Sequence, residues 1–215
     1  MRSLTAFLVS SILFVPVTMA EDMSPTLGKK GKELLIEKFE GNDIPKGWTK
    51  NVGMMKIQDG ALRISELASD KHVGAFRKAL PIQDMAIQID FMLDGAKTFN
   101  VGFDPVAGEL KKKGHLYSVV INSDRWSISE SNDKANPESK AILHAKGTIQ
   151  LNPGKWYTLM IENKGENVVA TIAGQGALKA KANDFKVKKP GLIVRAGGPD
   201  TAGVLIDNIQ VFELE

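Results

Sequence analysis

Alternation of apolar and polar side chains is the feature that most constrains the fold of this chain. In residues 85–93 every second residue is apolar, and the residues between them include Gln88 and Asp90. A period of two predicts a strand with one buried face and one face in water. Similar segments recur at a spacing of roughly 8–12 residues, and none carries a sustained helical stripe. The pattern therefore predicts an all-β fold.

The predicted strands follow one another with turn residues between them. Asp59-Gly60 is a two-residue hairpin signal, and we expect residues 34–39 and 204–214 to pair and protect each other's edges. Because helices are not predicted, two sheets must cover each other. The sequence therefore predicts a two-sheet antiparallel jelly-roll sandwich. Its predicted strands are residues 34–39, 54–58, 61–66, 73–80, 85–93, 98–103, 115–122, 125–131, 155–163, 166–173, 191–196 and 204–214.

The composition excludes several classes of chemistry. The 215 residues include no cysteine, which rules out disulfides, thiolate zinc sites, iron–sulfur clusters and a cysteine nucleophile. There are 28 Lys and Arg against 25 Asp and Glu, a net charge of +3. That excess is too small and too dispersed to predict a nucleic-acid partner.

The first twenty residues have the plan of a secretory signal peptide. Arg2 precedes an apolar run over residues 4–15, and Thr18-Met19-Ala20 places small residues before a cut after Ala20. The run is shorter than the roughly 20 residues that span a bilayer. The alternative is an uncleaved amphipathic or buried helix. We predict a signal peptide over residues 1–20, a flexible arm over 21–33 and one jelly-roll domain over 34–215, secreted or periplasmic and without a membrane span in the mature chain.

The order of short motifs resembles a known family. The motifs are FEGNDIPKGW at 39–48, QDGAL at 58–62, QDMAIQIDF at 83–91, GHLY at 114–117, PGKWYTL at 153–159 and LIDNIQV at 205–211. In this order they resemble the concanavalin A-like domains grouped with 3-keto-disaccharide hydrolases, above all their small secreted versions. The resemblance covers most of residues 34–214. It implies a jelly roll of the concanavalin A-like lectin/glucanase architecture, export, and work on saccharides.

Two positions depart from that family's catalytic pattern. Members with a catalytic pattern carry an acidic residue in the strand matching Asp90, an Asn-Ser-Gly turn and a Tyr-Glu-x-Gln strand. Here Asp90 and Asn100 match, but Asn100 is followed by Val101-Gly102 and Tyr117 by Ser118. The resemblance therefore implies the fold more strongly than the reaction, and fold alone does not define a reaction.

Asp90 and His115 are the candidate catalytic residues. Asp90 is an outward strand carboxylate, which would act as an acid or base, accept a saccharide hydroxyl, or lie in solvent. Retaining glycosidases need two carboxyl groups about 5–5.5 Å apart, whereas Asp90 and Asp94 lie two pleats apart, roughly 13 Å. His72 and His115 have the residue type for general-base work, the alternative being locally bonded surface histidines.

Other polar side chains are candidates for substrate binding. The alternation places Arg77 on the face away from the core. There its guanidinium donors would hold a sugar hydroxyl or an acidic group of the ligand, or would pair with Asp90 across strands. We expect the ligand to lie across the polar faces of the central strands on the concave sheet. The candidate substrate-binding residues are Arg77, Gln88, Asn100 and Arg125, and the tryptophans Trp48, Trp126 and Trp156 are assigned to packing.

The sequence contains few residue spacings that are typical of metal sites. No His-x-His or His-Glu-x-x-His spacing occurs, so a sequence-local transition-metal site is not predicted. Calcium is one alternative, held by Glu37 or Glu40 with Asp207, since carboxylates suit a hard cation. The other is that Asp207-Asn208 caps a turn. No other cofactor is predicted.

Three functions are compatible with these patterns. The first is an exported protein that binds or processes a saccharide on its concave sheet. The second is a glycoside hydrolase or lyase of the 3-keto-disaccharide hydrolase type. The third is a non-catalytic structural or protein-interaction sandwich. The sequence predicts a saccharide partner and no nucleic acid, and it determines neither the sugar nor the oligomeric state.

Overall fold

Two antiparallel sheets form the described part of the chain, residues 22–215 of a computed structural model. Sheet A contains, in spatial order, β13 (Gly176–Lys181), β12 (Asn167–Ile172), β11 (Trp156–Lys164), β6 (Met85–Asp94), β15 (Gly203–Leu214), β4 (Ala61–Ser65) and β3 (Met54–Gln58), with β1 (Lys30–Glu37) also paired to β15. Sheet B contains β10 (Ile142–Thr148), β9 (Arg125–Glu130), β8 (Tyr117–Ile121), β7 (Thr98–Phe103), β14 (Lys189–Gly197), β5 (Gly74–Ile82) and β2 (Trp48–Val52). The predicted jelly-roll sandwich is confirmed. The predicted signal peptide, residues 1–20, lies outside the described residues.

The strand pairing follows the turn chemistry of the sequence. Asp59 and Gly60 have φ of 52° and 76° and join β3 to β4, as a two-residue hairpin requires. The terminal strands pair as expected, with β1 on β15. Short 3-10 helices cover residues Ala68–Asp70 and Asn183–Lys186. Strands β2, β10 and β13 were not among the predicted strands, because short edge strands exposed on both faces carry little alternation.

The core lies between the sheets and is built from the alternating apolar residues. Phe91 of sheet A packs on Phe99 of sheet B with ring centroids 5.2 Å apart. Tyr117 stacks with Phe103 and with Phe185 of the second 3-10 helix, both at 4.9 Å. Its hydroxyl donates to Asn163 Oδ1 across the sandwich at 3.3 Å. These contacts fix how the two sheets pack on each other. The polar residues of the strands lie on the two outer faces.

The assignment of tryptophans to packing holds for two of the three. Trp48 and Trp126 are buried, whereas Trp156 is half-buried. One buried residue is unusual for its type: the side chain of Lys189 is fully buried. Its Nζ donates to the carbonyls of Gln83, Phe185 and Val187, and burial lowers its pKa to about 8. The side chain therefore joins the second 3-10 helix to β14.

The segment before β1 also differs from the flexible arm expected from its composition. The backbone N–H groups of Thr26 and Leu27 both donate to Glu162 Oε2 of β11 at 2.6 Å, and Met23 N–H donates to Gln88 Oε1 at 3.0 Å. Residues 22–29 therefore lie on the outer face of sheet A. Among residues 22–215, no helix has the length and apolar composition that a membrane crossing requires.

Candidate functional site

The predicted site residues divide between the two outer faces of the sandwich. Gln88 and Asp90 lie on β6 in sheet A, whereas Arg77 on β5 and Asn100 on β7 belong to sheet B. His115 precedes β8, also in sheet B. The expectation of a single ligand surface across all of them is therefore wrong. Alternation shows that a side chain leaves the core, but it does not say on which of two sheets.

Sheet B brings four ionisable side chains together on its outer face. Asp104, directly after β7, accepts from Arg77 Nη1 at 2.6 Å through Oδ2. Its other oxygen lies 2.6 Å from His115 Nδ1. Arg195 on β14 places Nη2 at 3.0 Å from Nδ1 and 2.7 Å from Nε2 of the same ring. We call Arg77, Asp104, His115 and Arg195 the sheet B cluster.

The contacts of Asp104 define the chemistry of this cluster. An ionised carboxylate accepts only, so His115 Nδ1 donates to Asp104, and Arg195 Nη2 lies closer to Nε2 than to Nδ1. Burial alone would raise the pKa of Asp104, but the hydrogen bonds and charges of His115 and Arg77 outweigh it and hold that pKa below its ordinary value. Burial lowers the pKa of the Arg195 guanidinium. Asp104 is therefore the anion that binds both Arg77 and His115.

Gly102 makes room for the Arg195 side chain. A Cβ on Gly102 would lie 2.7 Å from Ser118 Oγ and 3.4 Å from Arg195 Nη1. Arg195 and Ala75 are partners across the β14–β5 pair, and Arg195 and Asn100 across β14–β7. The guanidinium thus lies over the centre of the sheet, and a Cβ at position 102 would contact it while pressing on Ser118 Oγ.

The predicted pairing of Arg77 with Asp90 is also wrong. Arg77 binds Asp104 on sheet B, and Asp90 binds neutral groups on sheet A. One oxygen of Asp90 accepts from the Thr158 hydroxyl at 2.7 Å and the other from the Asn208 side-chain amide at 2.9 Å. The two sheets separate Arg77 from Asp90, since stacked sheets lie about 10 Å apart.

Asp90 has a second carboxylate beside it. Asp207 on β15 is its direct partner across the β6–β15 pair, so the two side chains share a face. Burial raises the pKa of Asp207 above its ordinary value, and the negative charges of Asp90 and Glu40 act in the same direction. The backbone N–H of Asn208 donates to Asp207 Oδ1 at 2.7 Å. From the sequence, Asp207 was a candidate calcium ligand or part of a turn with Asn208, and it was not a candidate acid.

The remaining predicted binding residues have local partners. Gln88 is buried beneath residues 22–29 and accepts from Met23, as described above. Asn100 accepts from the Thr98 hydroxyl at 2.8 Å, one strand from Arg195. Arg125 is exposed and, with Trp126 and Lys146, lines a surface cavity of about 580 Å³ at the β9–β10 edge. His72 is exposed and lies 2.7 Å from the Val73 carbonyl, outside the sheet B cluster.

A smaller cavity adjoins the cluster. It has a volume of about 160 Å³ and is lined by Thr49, Arg77 and Lys78 on one side and by Pro190 and Gly191 on the other. Arg77 is therefore shared between the cluster and an open space of sheet B. Of the predicted residues, sheet B unites Arg77, Asn100 and His115. No sequence pattern identified Asp104 and Arg195, which lie far from each other in the chain.

The calcium alternative stays a prediction. Glu37, one of its candidate ligands, accepts from Lys78 Nζ at 2.8 Å, with Lys78 buried and Glu37 partly buried. Asp207 faces Asp90 and Asn208. Within residues 22–215 there is no group of three or more His, Asp or Glu side chains arranged to hold a metal ion.

Comparisons with known proteins give the fold but no family. No protein-family model matches the chain, and no curated protein matches it. The carbohydrate-binding module CBM66 from Bacillus subtilis is similar, with 16% identity, a TM-score of 0.60, and coverage of 78% of this chain and 96% of that one. The laminarinase from Rhodothermus marinus has 10% identity and a TM-score of 0.66 over 88% of this chain and all of that one.

A third solved structure is also similar to this chain. A protein of unknown function with a galectin-like fold from Bacillus subtilis has 14% identity and a TM-score of 0.64, covering 86% of this chain and 98% of that one. Such identities show the fold alone. The chain therefore has the concanavalin A-like jelly roll that carbohydrate-binding modules and family GH16 glucanases share.

Proposed function

We propose that the protein binds a saccharide on the outer face of sheet B, centred on the sheet B cluster. The observation that carries this proposal is the convergence of Arg77, Asp104, His115 and Arg195 on one outward face. Guanidinium donors beside a carboxylate acceptor match the paired donor and acceptor character of adjacent sugar hydroxyls. The fold shared with carbohydrate-binding modules and glucanases supports the same class of ligand.

The arrangement suits binding more directly than acid–base chemistry at His115. Asp104 lies 2.6 Å from Nδ1 and Arg195 lies 2.7 Å from Nε2, so both ring nitrogens already face groups of the protein. The predicted signal peptide supports a site of action in the periplasm or outside the cell. We therefore assign to His115 a binding role in this proposal.

Titration calorimetry of the protein against a panel of oligosaccharides tests the proposal. The test variant is His115→Ala, and the matched control is His72→Ala, which removes a histidine outside the cluster. Loss of the ring's contacts should weaken binding by roughly tenfold or more, as expected for one charge-assisted hydrogen bond. The control should bind like the unmodified protein. Absence of binding to the whole panel, or equal losses in both variants, contradicts the proposal.

Glycoside hydrolysis is a second candidate, favoured by the Asp90–Asp207 pair. Direct partners on an antiparallel pair have Cβ atoms about 4.5–5.5 Å apart, close to the separation of roughly 5–5.5 Å in retaining glycosidases. Asp90 accepts hydrogen bonds from Thr158 and Asn208, and burial raises the pKa of Asp207, as an acid requires. The 3-keto-disaccharide hydrolase type is the finer form of this candidate. His115 lies on the opposite face and would take no part in it.

Release of nitrophenol from nitrophenyl glycosides tests the second candidate. Asp90→Asn and Asp207→Asn should each lower the rate by at least about a hundredfold if the pair supplies nucleophile and acid. The control is Asp43→Asn, an exposed carboxylate in the loop after β1. Turnover that survives both substitutions, or no turnover by the unmodified protein, excludes this candidate and leaves the binding proposal intact.

A further inference from the structure

Positive charge is concentrated in the strands of sheet B. Its seven strands contain seven lysine and arginine residues and a single carboxylate, Glu130. Sheet A shows no such excess, because its strands contain as many carboxylates as cations. The cations of sheet B are Lys50, Arg77, Lys78, Arg125, Lys146, Lys189 and Arg195. The two faces of this weakly charged protein therefore differ in their electrostatic character.

The lone carboxylate of these strands does not face the proposed site. Glu130 ends β9 as a buried side chain, and it binds Lys112 and His144. Three of the cations also have partners: Lys78 binds Glu37, Lys189 binds backbone carbonyls, and Arg125 lies 3.5 Å from the exposed Asp124. Lys50 is the register partner of Phe76 and takes the other side of the sheet from Arg77. The outer face keeps two groups of cations. They are Arg77 with Arg195 in the cluster, and Arg125 with Lys146 beside the 580 Å³ cavity.

Arg195 lacks an ionic partner among the described residues. It is 8% exposed, and its side-chain contacts there are with the nitrogens of His115. The nearby carboxylate, Asp104, forms its ion pair with Arg77 instead. The charge of nearby Asp104 favours the charged form of Arg195 without forming an ion pair with it, so an additional anion brought against Arg195 would be attracted. Two guanidinium groups thus share one carboxylate in the cluster.

We infer that the ligand of sheet B is an acidic saccharide, whose carboxylate or sulfate group binds between Arg77 and Arg195. The inference rests on the proposed function and names the class of saccharide. Arginine holds carboxylate and sulfate-type oxyanions through paired donors, a geometry that a neutral hydroxyl does not fill. A neutral sugar would leave the second guanidinium without an ion pair of its own.

The second group of cations indicates an extended ligand. Arg77 on β5 and Lys146 on β10 lie five strands apart in sheet B. At about 4.8 Å per strand that distance is roughly 24 Å. A chain of several acidic sugar units would span it, and a monosaccharide would not. The same ligand then contacts the cluster at one end and Arg125 with Lys146 at the other.

Affinity electrophoresis of the full chain in gels containing matched polymers tests the inference. Polygalacturonate and its full methyl ester have the same backbone with and without carboxylates, and dextran sulfate and dextran form the corresponding sulfate pair. We expect retardation by polygalacturonate or dextran sulfate and not by the ester or dextran. Which acidic polymer retards the protein distinguishes carboxylate from sulfate.

Three variants test where the acidic group of the ligand binds. Arg195→Gln and Arg77→Gln should each weaken binding to the acidic polymer roughly tenfold or more. Lys179→Gln removes the same charge from an exposed position of sheet A and should leave binding unchanged. Arg77 is more exposed than Arg195, so its variant still reports on the site if Arg195→Gln does not fold.

The outcomes separate this inference from the proposed function. Equal binding to the acidic and the neutral polymer, lost in Arg77→Gln, overturns the acidic specificity and keeps saccharide binding on sheet B. An equal loss in Lys179→Gln shows unspecific attraction between charges and overturns the inference. No binding to any polymer, together with no binding in the calorimetric panel, overturns both.

Discussion

Asp104 is the residue on which the sheet B cluster depends. Its two oxygens bind Arg77 and His115, and Arg195 approaches the same imidazole. Without this carboxylate, two guanidinium groups would share a face with no anion between them. The residue follows β7 directly, where the strand register fixes its backbone. Local sequence does not identify Asp104, because its partners come from β5 and from the loop before β8.

Asp104→Asn should destabilise the protein by about 1–2 kcal/mol at neutral pH, through loss of charged hydrogen bonds at a partly exposed site. The pKa of Asp104 is lowered in the folded state, so its contribution to the free energy of unfolding is complete above the unfolded pKa of about 3.9. That contribution is lost as pH falls through the lower, folded pKa. Urea denaturation at a series of pH values measures the effect.

Below about pH 4 the unmodified protein should lose stability more steeply than Asp104→Asn, so the two free-energy curves converge in acid. Asp43→Asn, at an exposed position, should follow the unmodified protein throughout. Parallel curves for Asp104→Asn and the unmodified protein would show that the carboxylate adds nothing to the fold.

At the scale of elements, the N-terminal segment behaves as part of sheet A. Residues 22–29 donate backbone N–H groups to Glu162 and Gln88, and Lys29 and Glu215 exchange backbone hydrogen bonds. Glu162 is buried, so the segment supplies partners that its carboxylate would otherwise lack. Composition predicted flexibility because the segment is polar and contains Pro25, Gly28 and Gly31. Composition could not predict these contacts, because Glu162 lies on β11, far from the segment in the chain.

Glu162→Ala should release this segment. The amide hydrogens of Thr26 and Leu27 lose their common acceptor, so we expect their exchange with solvent to accelerate by roughly tenfold or more. Hydrogen–deuterium exchange of the peptide that contains residues 22–29 measures this. Glu213→Ala, an exposed carboxylate of β15, is the control and should leave the peptide protected. Fast exchange in the unmodified protein would contradict the contacts.

At the scale of the whole molecule, aromatic contacts across the core join the sheets. Phe91 packs against Phe99 of the opposite sheet and against Tyr157, with centroids 5.2 Å and 6.0 Å apart. Tyr117 continues the contact through Phe103 and Phe185. Because each sheet covers the other's apolar face, neither is expected to persist alone.

Phe91→Ala should lower the free energy of unfolding by about 3–5 kcal/mol, the usual range for a fully buried phenylalanine. Phe91→Leu fills more of the space and should lower it by less than Phe91→Ala. Urea denaturation followed by tryptophan fluorescence and by circular dichroism measures both. Trp126 in sheet B and Trp156 in sheet A report on both sheets, so we expect one coincident transition. Separate transitions would show that the sheets unfold independently.

The sequence by itself determined the fold class, the Asp59-Gly60 hairpin, the pairing of the terminal strands, and most of the residues that face the core. These properties follow from a period of two and from turn residues, which are local in the chain. Only the tertiary structure decided that Asp90 and His115 lie on opposite faces and that Arg77 binds Asp104. It also joined Arg195, a residue without a motif, to the candidate site. The reason is physical: alternation fixes which side of a strand a residue takes, whereas the partners of a polar group depend on strand order, which residues distant in sequence determine.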